Sequence, residues 1–378
     1  MTFSNRFFVL HKTKNASIIS NMKYSEVVKE KLKIINQKVK EGKDIFVLAI
    51  ESSCDETSIA VVKNGREVLS NEIASQIDIH TRFGGVVPEV ASRNHILCIN
   101  NVLAKSLQTS GKTLDDIDAI AVTYGAGLAG ALMVGVNFAK GLAYATKKPL
   151  VAVNHIMGHI SANYIQKKDL QPPFLCLVVS GGHTAILRVD DYTHHTLIGQ
   201  TLDDAIGEAF DKVARVVGLG YPGGPKIDKE AKNGKYNIKF TKRSDLDGTP
   251  NISYSGLKTA VINYLHKKSQ SNEQFSVADV ACSFEHEAID PLVEKVVDVA
   301  KKQGYKLVAM AGGVAANSYL REKLTTECAK NGIEVTYPAL ILCTDNGAMI
   351  GASGYFDLIC GQNICYDLTL SPNPSLKL

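Results

Sequence analysis

The chain has 378 residues, 45% of them hydrophobic and 21% charged, with a formal net charge of +4. That composition excludes a disordered chain, and the length suffices for two domains of ordinary size. The longest apolar run, 130–145, is broken by Asn137 and Lys140, which excludes a membrane span, and the mild positive charge leaves any nucleic-acid binding to a local patch.

Residues 1–43 differ in composition from the remainder of the chain. They carry ten Lys or Arg against three Glu, and 1–25 hold no acid at all. The first 25 residues have the composition of a transit peptide, although Arg6 is their only arginine and Met22 offers a second start. Val27, Val28, Leu32, Ile35 and Val39 predict an amphipathic basic helix over 25–43. The expectation for 1–44 is a basic extension, poorly ordered or a loose helix.

The core begins with the buried strand 45–50. It is followed by Glu51-Ser-Ser-Cys-Asp-Glu-Thr-Ser58, a second strand, the turn Lys63-Asn-Gly-Arg66 and a third strand, which together make a meander. Asp55 and Glu56 crowd the first turn, where carboxylates and hydroxyls suit phosphate or metal chemistry as well as a solvated turn. Pro88-Glu89 opens a helix, and 117–122 is another buried strand. Tyr124-Gly-Ala-Gly-Leu-Ala-Gly130 is a small-residue loop that lets backbone N–H groups approach a ligand. The strand 149–153 then delivers Asn154-His155-Ile-Met-Gly-His159. On a helix, residues four apart share a face, so the two imidazoles form either a satisfied polar pair or two metal ligands.

Two further strands end in Gly-Gly turns, Ser180-Gly-Gly-His-Thr184 and Ala311-Gly-Gly-Val-Ala-Ala-Asn317. Two such turns at strand ends predict backbone cradles facing one nucleotide. Between them, 201–214 reads as one helix bearing Asp204, Glu208 and Asp211, followed by a Gly/Pro loop and Asp228, carboxylates that suit ribose hydroxyls. Lys226 to Arg243 make a basic segment suited to a phosphate backbone. Asp345 reads as a helix N-cap, and also as a carboxylate at the tip of a strand that supplies the His pair with a third ligand. The eight cysteines form no C-x-x-C pair, so a thiolate zinc site is not expected and a reducing compartment fits. Strands alternating with helices place the chain in the α/β class.

Nine stretches occur in order: Glu51-Ser-Ser-Cys-Asp-Glu-Thr-Ser58, His80-Thr-Arg-Phe-Gly-Gly-Val-Val-Pro-Glu89, Asn154-His-Ile-Met-Gly-His159, Val179-Ser-Gly-Gly-His-Thr184, Gly207-Glu-Ala-Phe-Asp-Lys-Val-Ala214, Gly220-Tyr-Pro-Gly-Gly-Pro225, Ser253-Tyr-Ser-Gly-Leu-Lys-Thr259, Ala311-Gly-Gly-Val-Ala-Ala-Asn317 and Cys343-Thr-Asp-Asn-Gly-Ala-Met349. Together they resemble the bacterial tRNA N6-adenosine threonylcarbamoyltransferases, the TsaD family, over about residues 45–360. The resemblance implies the actin-like ATPase (sugar kinase/heat-shock) fold, two ribonuclease-H-like lobes with mixed sheets flanked by helices and a cleft between them. Lobe I would comprise 45–153 plus 336–378, and lobe II 154–335 with the glycine loops. It implies transfer of threonylcarbamoyl from threonylcarbamoyl-adenylate to N6 of the adenosine just 3′ of the anticodon, in tRNAs reading codons that start with A. By motif, His155, His159 and Asp345 match metal ligands for one iron(II) ion per subunit, with zinc as the alternative. Val178, Val179, Ser180, Gly181, Gly182, Asp211, Gly224, Asp228 and Asn317 match the positions that hold the adenylate. Position at the first turn makes Asp55 or Glu56 the candidate base. The implied partners are tRNA, a small actin-like paralogue (TsaB-like) and an ATPase helper (TsaE-like), with no membrane, in the cytoplasm or, if 1–25 is a transit peptide, an organelle.

Three rivals are weaker. A sugar kinase of the same fold needs oxygen ligands for magnesium, not a His pair. A zinc protease needs Glu directly after the first His, where Ile156 stands. A non-catalytic nucleotide scaffold would have no use for the apparent metal triad.

Overall fold

The computed structural model describes residues 23–240 and 248–377. The transit-like stretch 1–22 and the end of the basic segment, 241–243, lie outside the described residues. Two mixed sheets organise the rest. The first has six strands in the order β11-β5-β4-β1-β2-β3: β1 (Phe46–Glu51), β2 (Glu56–Lys63), β3 (Glu67–Ser75), β4 (Ala119–Gly125), β5 (Leu150–Asn154) and β11 (Ile364–Cys365). The second has five in the order β10-β9-β6-β7-β8: β6 (Phe174–Val179), β7 (Thr184–Val189), β8 (His195–Gln200), β9 (Leu307–Ala311) and β10 (Glu334–Thr336). Each sheet contains an antiparallel three-strand meander with two parallel strands added beside its first strand, and β11 extends the first sheet antiparallel to β5. The same plan is thus built twice, in the α/β architecture expected.

Sequence chemistry explains the pieces. β1, β4, β5 and β6 are almost continuously apolar because helices cover both faces. Asn64 and Gly65, both at positive φ (53° and 67°), close the β2–β3 hairpin. The helix Pro88–Ser110 starts with proline in its first turn and stops at Gly111 in the left-handed region. β8 and the helix Val277–Gln303 carry none of the nine stretches and are placed by the structure alone, while β7 and the helix Ser255–Gln270 each begin inside one.

The basic helix spans Tyr24–Lys40. Its apolar face, Tyr24, Val27, Val28 and Ile35, is buried. Tyr24 donates its hydroxyl to Lys148 O at 2.8 Å, and Lys38 pairs with Asp118 at 2.6 Å. That contact joins the extension to the first sheet rather than leaving the helix loose.

One helix positions the site. Gly347–Cys360 lies so close to the first sheet that a Cβ on Gly347 would come within 2.7 Å of Ala60 N, and one on Gly351 within 2.5 Å of Val62. Its other side meets the helix His155–Gln166, where a Cβ on Gly158 would reach 2.6 Å from Ile350. Small residues therefore fix the spacing of two helices whose N-terminal ends meet.

Candidate metal and nucleotide site

β5 runs directly into the helix His155–Gln166, capped by Asn154, whose side chain accepts Ile156 N at 2.9 Å. His155 and His159 fall one turn apart on that helix, with ring centroids 4.6 Å apart. Asp345 Oδ1 lies 3.4 Å from His155 Nε2 and 3.3 Å from His159 Nε2. One atom from each of the three residues lies within 4.8 Å of the other two. Two imidazole nitrogens and one carboxylate oxygen converging on one point form a donor set that can hold a metal ion. Among the described residues His159 Nδ1 is buried without a hydrogen-bond partner, and Nε2 is the nitrogen that faces Asp345.

Asp345 is not the helix cap, and no strand precedes it. Leu340–Cys343 is a short helix, and Asn346 caps the next one by accepting Met349 N at 3.0 Å. With the capping done by its neighbour, the Asp345 carboxylate is free to face the imidazoles. Burial raises the Asp345 carboxyl, but the charge of His155 and the hydrogen bond to His159 outweigh it and hold the group low.

Sequence reasoning passed over Glu51. It ends β1 with no exposure to solvent. Its Oε2 lies 3.3 Å from His155 Nδ1 and accepts the Thr123 hydroxyl, while Oε1 accepts Ser53 N. A carboxylate on Nδ1 selects the tautomer whose Nε2 lone pair points at the metal position. The usable signal was an acid closing an otherwise apolar, buried strand. His183 was also missed; burial first, then the imidazoles of His155 and His159, lower it to about 4.

The two Gly-Gly turns are neighbours in space because β6 and β9 pair in parallel, Val178 opposite Ala311. Gly312, at φ +93°, passes so near that a Cβ would sit 2.4 Å from Val179 O. Val178 and Val179 are buried strand residues, and Ser180 is nearly buried. Added Cβ atoms at Gly181, Gly182, Gly224 or Gly313 would meet nothing within 4 Å. These glycines border open space, as a backbone cradle for a ligand requires. Asp211 accepts Gly223 N at 2.7 Å, Asp228 accepts the Ser318 hydroxyl, and Asn317 donates to Glu285 at 2.7 Å while capping the next helix through Leu320 N.

Three expectations need correction. The helix read over 201–214 begins only at Ile206. Asp204 precedes it and is tied to Lys212 and Lys258, because the preceding turn is spent holding the Ser253-Tyr-Ser255 segment through Asp203. The loop after β4 makes no ligand cradle: Leu128 N donates to Ser53 O at 2.7 Å and Gly127 N to Pro374 O at 3.2 Å. Lys226 in the basic segment is turned inward to Leu219 O.

Asp55 and Glu56 sit in the β1–β2 turn. Asp55 is 6% exposed, and Glu56 accepts the Ser75 hydroxyl at 3.1 Å. Burial, then the charges of Asp55 and Asp345, push Glu56 well above the usual carboxylate range. Burial, then the charges of Asp55 and Asp211, push up the Tyr221 hydroxyl in the Gly/Pro loop.

Among the described residues no helix is long and apolar enough to cross a membrane, and all eight cysteines are free. The family model for tRNA N6-adenosine threonylcarbamoyltransferase, TsaD, matches residues 67–352. A tRNA N6-adenosine threonylcarbamoyltransferase of Clostridium perfringens (strain 13) is 59% identical over 334 residues, 88% of this chain and 98% of the relative. One from Clostridium botulinum (strain 657) is 59% identical over 335 residues, with the same shares. Among solved structures, HypF from T. kodakarensis superposes with a TM-score of 0.55 at 14% identity, over 84% of this chain and 48% of that one, a likeness of actin-like fold alone. With that fold and those relatives, the chain belongs to the TsaD family and is a transferase that modifies tRNA.

Proposed function

We propose that the chain transfers threonylcarbamoyl from threonylcarbamoyl-adenylate to N6 of the adenosine 3′ of the anticodon, in tRNAs reading codons that start with A. The observation that carries this reading is the convergence of His155, His159 and Asp345 beside open glycine turns. The donor is a mixed anhydride with AMP as a good leaving group, so the chain needs orientation and charge stabilisation and no covalent nucleophile. Val178, Val179, Ser180, Gly181, Gly182 and Gly224 hold the adenylate by backbone, with Asp211, Asp228 and Asn317 at its sugar. His155, His159 and Asp345 hold one iron(II) or zinc ion. When bound, that ion supplies Lewis-acid polarisation of the carbamoyl group or a seat for the threonyl carboxylate. Of the two carboxyls in the first turn, Asp55 takes the proton from the attacking amine, because Glu56 is held neutral.

Partner proteins belong to the same reading: a small actin-like paralogue, TsaB-like, and an ATPase helper, TsaE-like. A protein-binding face is supported by Ile96 and Leu97, 61% and 75% exposed, beside Met133, 53% exposed, on the adjoining helix Ala129–Thr146. Lys229, Lys232, Lys235 and Lys239 are exposed and suit a tRNA backbone. Free cysteines fit the cytoplasm.

The test is reconstitution of the full chain and its partners with threonylcarbamoyl-adenylate and unmodified tRNA. Wild type should form the modified base, and His155→Ala and Asp345→Ala should lose both metal and transfer. Retained transfer in both variants rejects the metal-centred reading, and wild-type rates in both Asp55→Asn and Glu56→Gln remove the base.

A further inference from the structure

We propose that the loop 82–87 is where the cleft grips the RNA, with Phe83 as a stacking platform for a nucleobase flanking the target adenosine. The proposal rests on the tRNA-modifying reading above and adds a residue to it.

The loop grows from the candidate base. β3 ends at Ser75, and Gln76 N donates to Asp55 O at 3.0 Å, so the chain leaves the sheet beside the carboxylate turn. The short helix Ile77–Thr81 carries His80, which is fully buried. His80 pins both ends of the loop: its carbonyl accepts Phe83 N at 2.9 Å and Gly85 N at 3.3 Å, and its Nδ1 accepts Val87 N at 3.3 Å. Held that way, the loop keeps the Phe83 side chain 59% exposed. Most of the ring on this pinned loop is left in water.

The loop is also held by the helix that carries Asp211. Gly84 O accepts the guanidinium of Arg215, which stands one turn beyond Asp211 on the helix Ile206–Val216. Gly85 makes room for it, since a Cβ there would lie 3.2 Å from Arg215 Nη2. Arg82 and Arg215 are both exposed. An exposed aromatic ring next to Arg82 in sequence, on a loop held by Arg215, offers one stacked base an apolar face with cationic groups nearby for its phosphates. Phenylalanine offers no hydrogen bond, so the platform accepts any base. Codons that start with A fix the base 5′ of the adenosine as U, so this tolerance matters for the 3′ neighbour.

The experiment measures KM and kcat for an unmodified tRNA and for its anticodon stem–loop, using the full chain with its partners, for Phe83→Ala, Phe83→Leu and Phe83→Trp. Melting temperatures are measured alongside, to show that each variant is folded. Loss of one base stack is expected to raise KM by about 5- to 100-fold in the Ala and Leu variants with kcat unchanged, while Trp keeps the wild-type KM. Wild-type KM in Phe83→Ala, or rescue by Leu, overturns the stacking role. Weakened binding of a partner protein with the tRNA KM intact reassigns the loop to a protein contact and equally overturns it. Failure of the wild type to modify tRNA counts against the transfer reading, not against Phe83 alone.

Discussion

Replacing Glu51 by Gln tests whether the site is organised from behind the imidazoles. The two oxygens of Glu51 meet different partners: Oε1 faces the N–H of Ser53, and Oε2 faces the Thr123 hydroxyl and His155 Nδ1. A glutamine must put its carbonyl against the Ser53 N–H, because a backbone donor cannot be turned round. Its NH2 then faces His155, and a donor there requires Nδ1 to be the acceptor. The proton moves to Nε2, the nitrogen that faces Asp345 across 3.4 Å, and that nitrogen can no longer bind a metal. Loss of such an orienting carboxylate weakens metal binding by about 10- to 100-fold, or roughly 1.4–2.7 kcal/mol. Ser53 Oγ, 3.1 Å from the same Nδ1, is the one neutral acceptor able to restore the original tautomer, so Ser53→Ala combined with Glu51→Gln closes that route. The assay is calorimetric titration of the metal-free chain with zinc, with histidine nitrogen NMR to read the tautomer. Since Glu51 is wholly buried, a melting curve must show that the variant is folded. Zinc affinity within two-fold of wild type, with Nδ1 still protonated in the double variant, would refute the argument.

Two further outcomes follow from packing and burial. Asp357, 5% exposed, is pushed by burial from its ordinary 3.8 up to about 7, against a hydrogen bond from Asn363. The folded chain thus takes up a proton there between pH 4 and 7, so this residue's contribution to stability falls as pH rises through that window. At 1.36 kcal/mol per pH unit the ceiling is about 4 kcal/mol, and Asp357→Asn should gain stability over wild type at pH 8 and little at pH 4, as measured by chemical denaturation. Gly312→Ala drives a methyl to 2.4 Å from Val179 O at φ +93°. It should cost about 1–3 kcal/mol of stability and weaken adenylate binding, and an unchanged melting curve would show that the two Gly-Gly turns are not held together by that contact.

Much of this was legible in the sequence because it depends on local period and punctuation. The His155–His159 pair follows from helical spacing, the β2–β3 hairpin from Asn64-Gly65, and the Gly-Gly turns from apolar strands that stop abruptly. What was hidden depends on neighbours distant in sequence. Glu51 faces inward only because β4 brings Thr123 beside it. The carboxylate of Asp345 is free only because Asn346 takes the cap, a choice between adjacent residues that pattern cannot make. The loop after β4 reads as a cradle until Ser53 and Pro374 are seen to occupy its N–H groups. Phe83 looks like a core residue by type, and only the pinned loop shows that it is in water.

The glycine-lined meeting of His155–Gln166 with Gly347–Cys360 has an electrostatic consequence. Both helices begin at the imidazole–carboxylate cluster, and each N-terminus carries roughly half a positive charge. Without a cation, the charges of Glu51 and Asp345 are offset by His155 and the two helix ends, and the floor of the site is near neutral. With a dication, the ion and the two carboxylates cancel, and the paired helix ends turn the floor attractive to an anion. Cation binding and anion binding at this floor would thus favour one another, through the way two helices are packed.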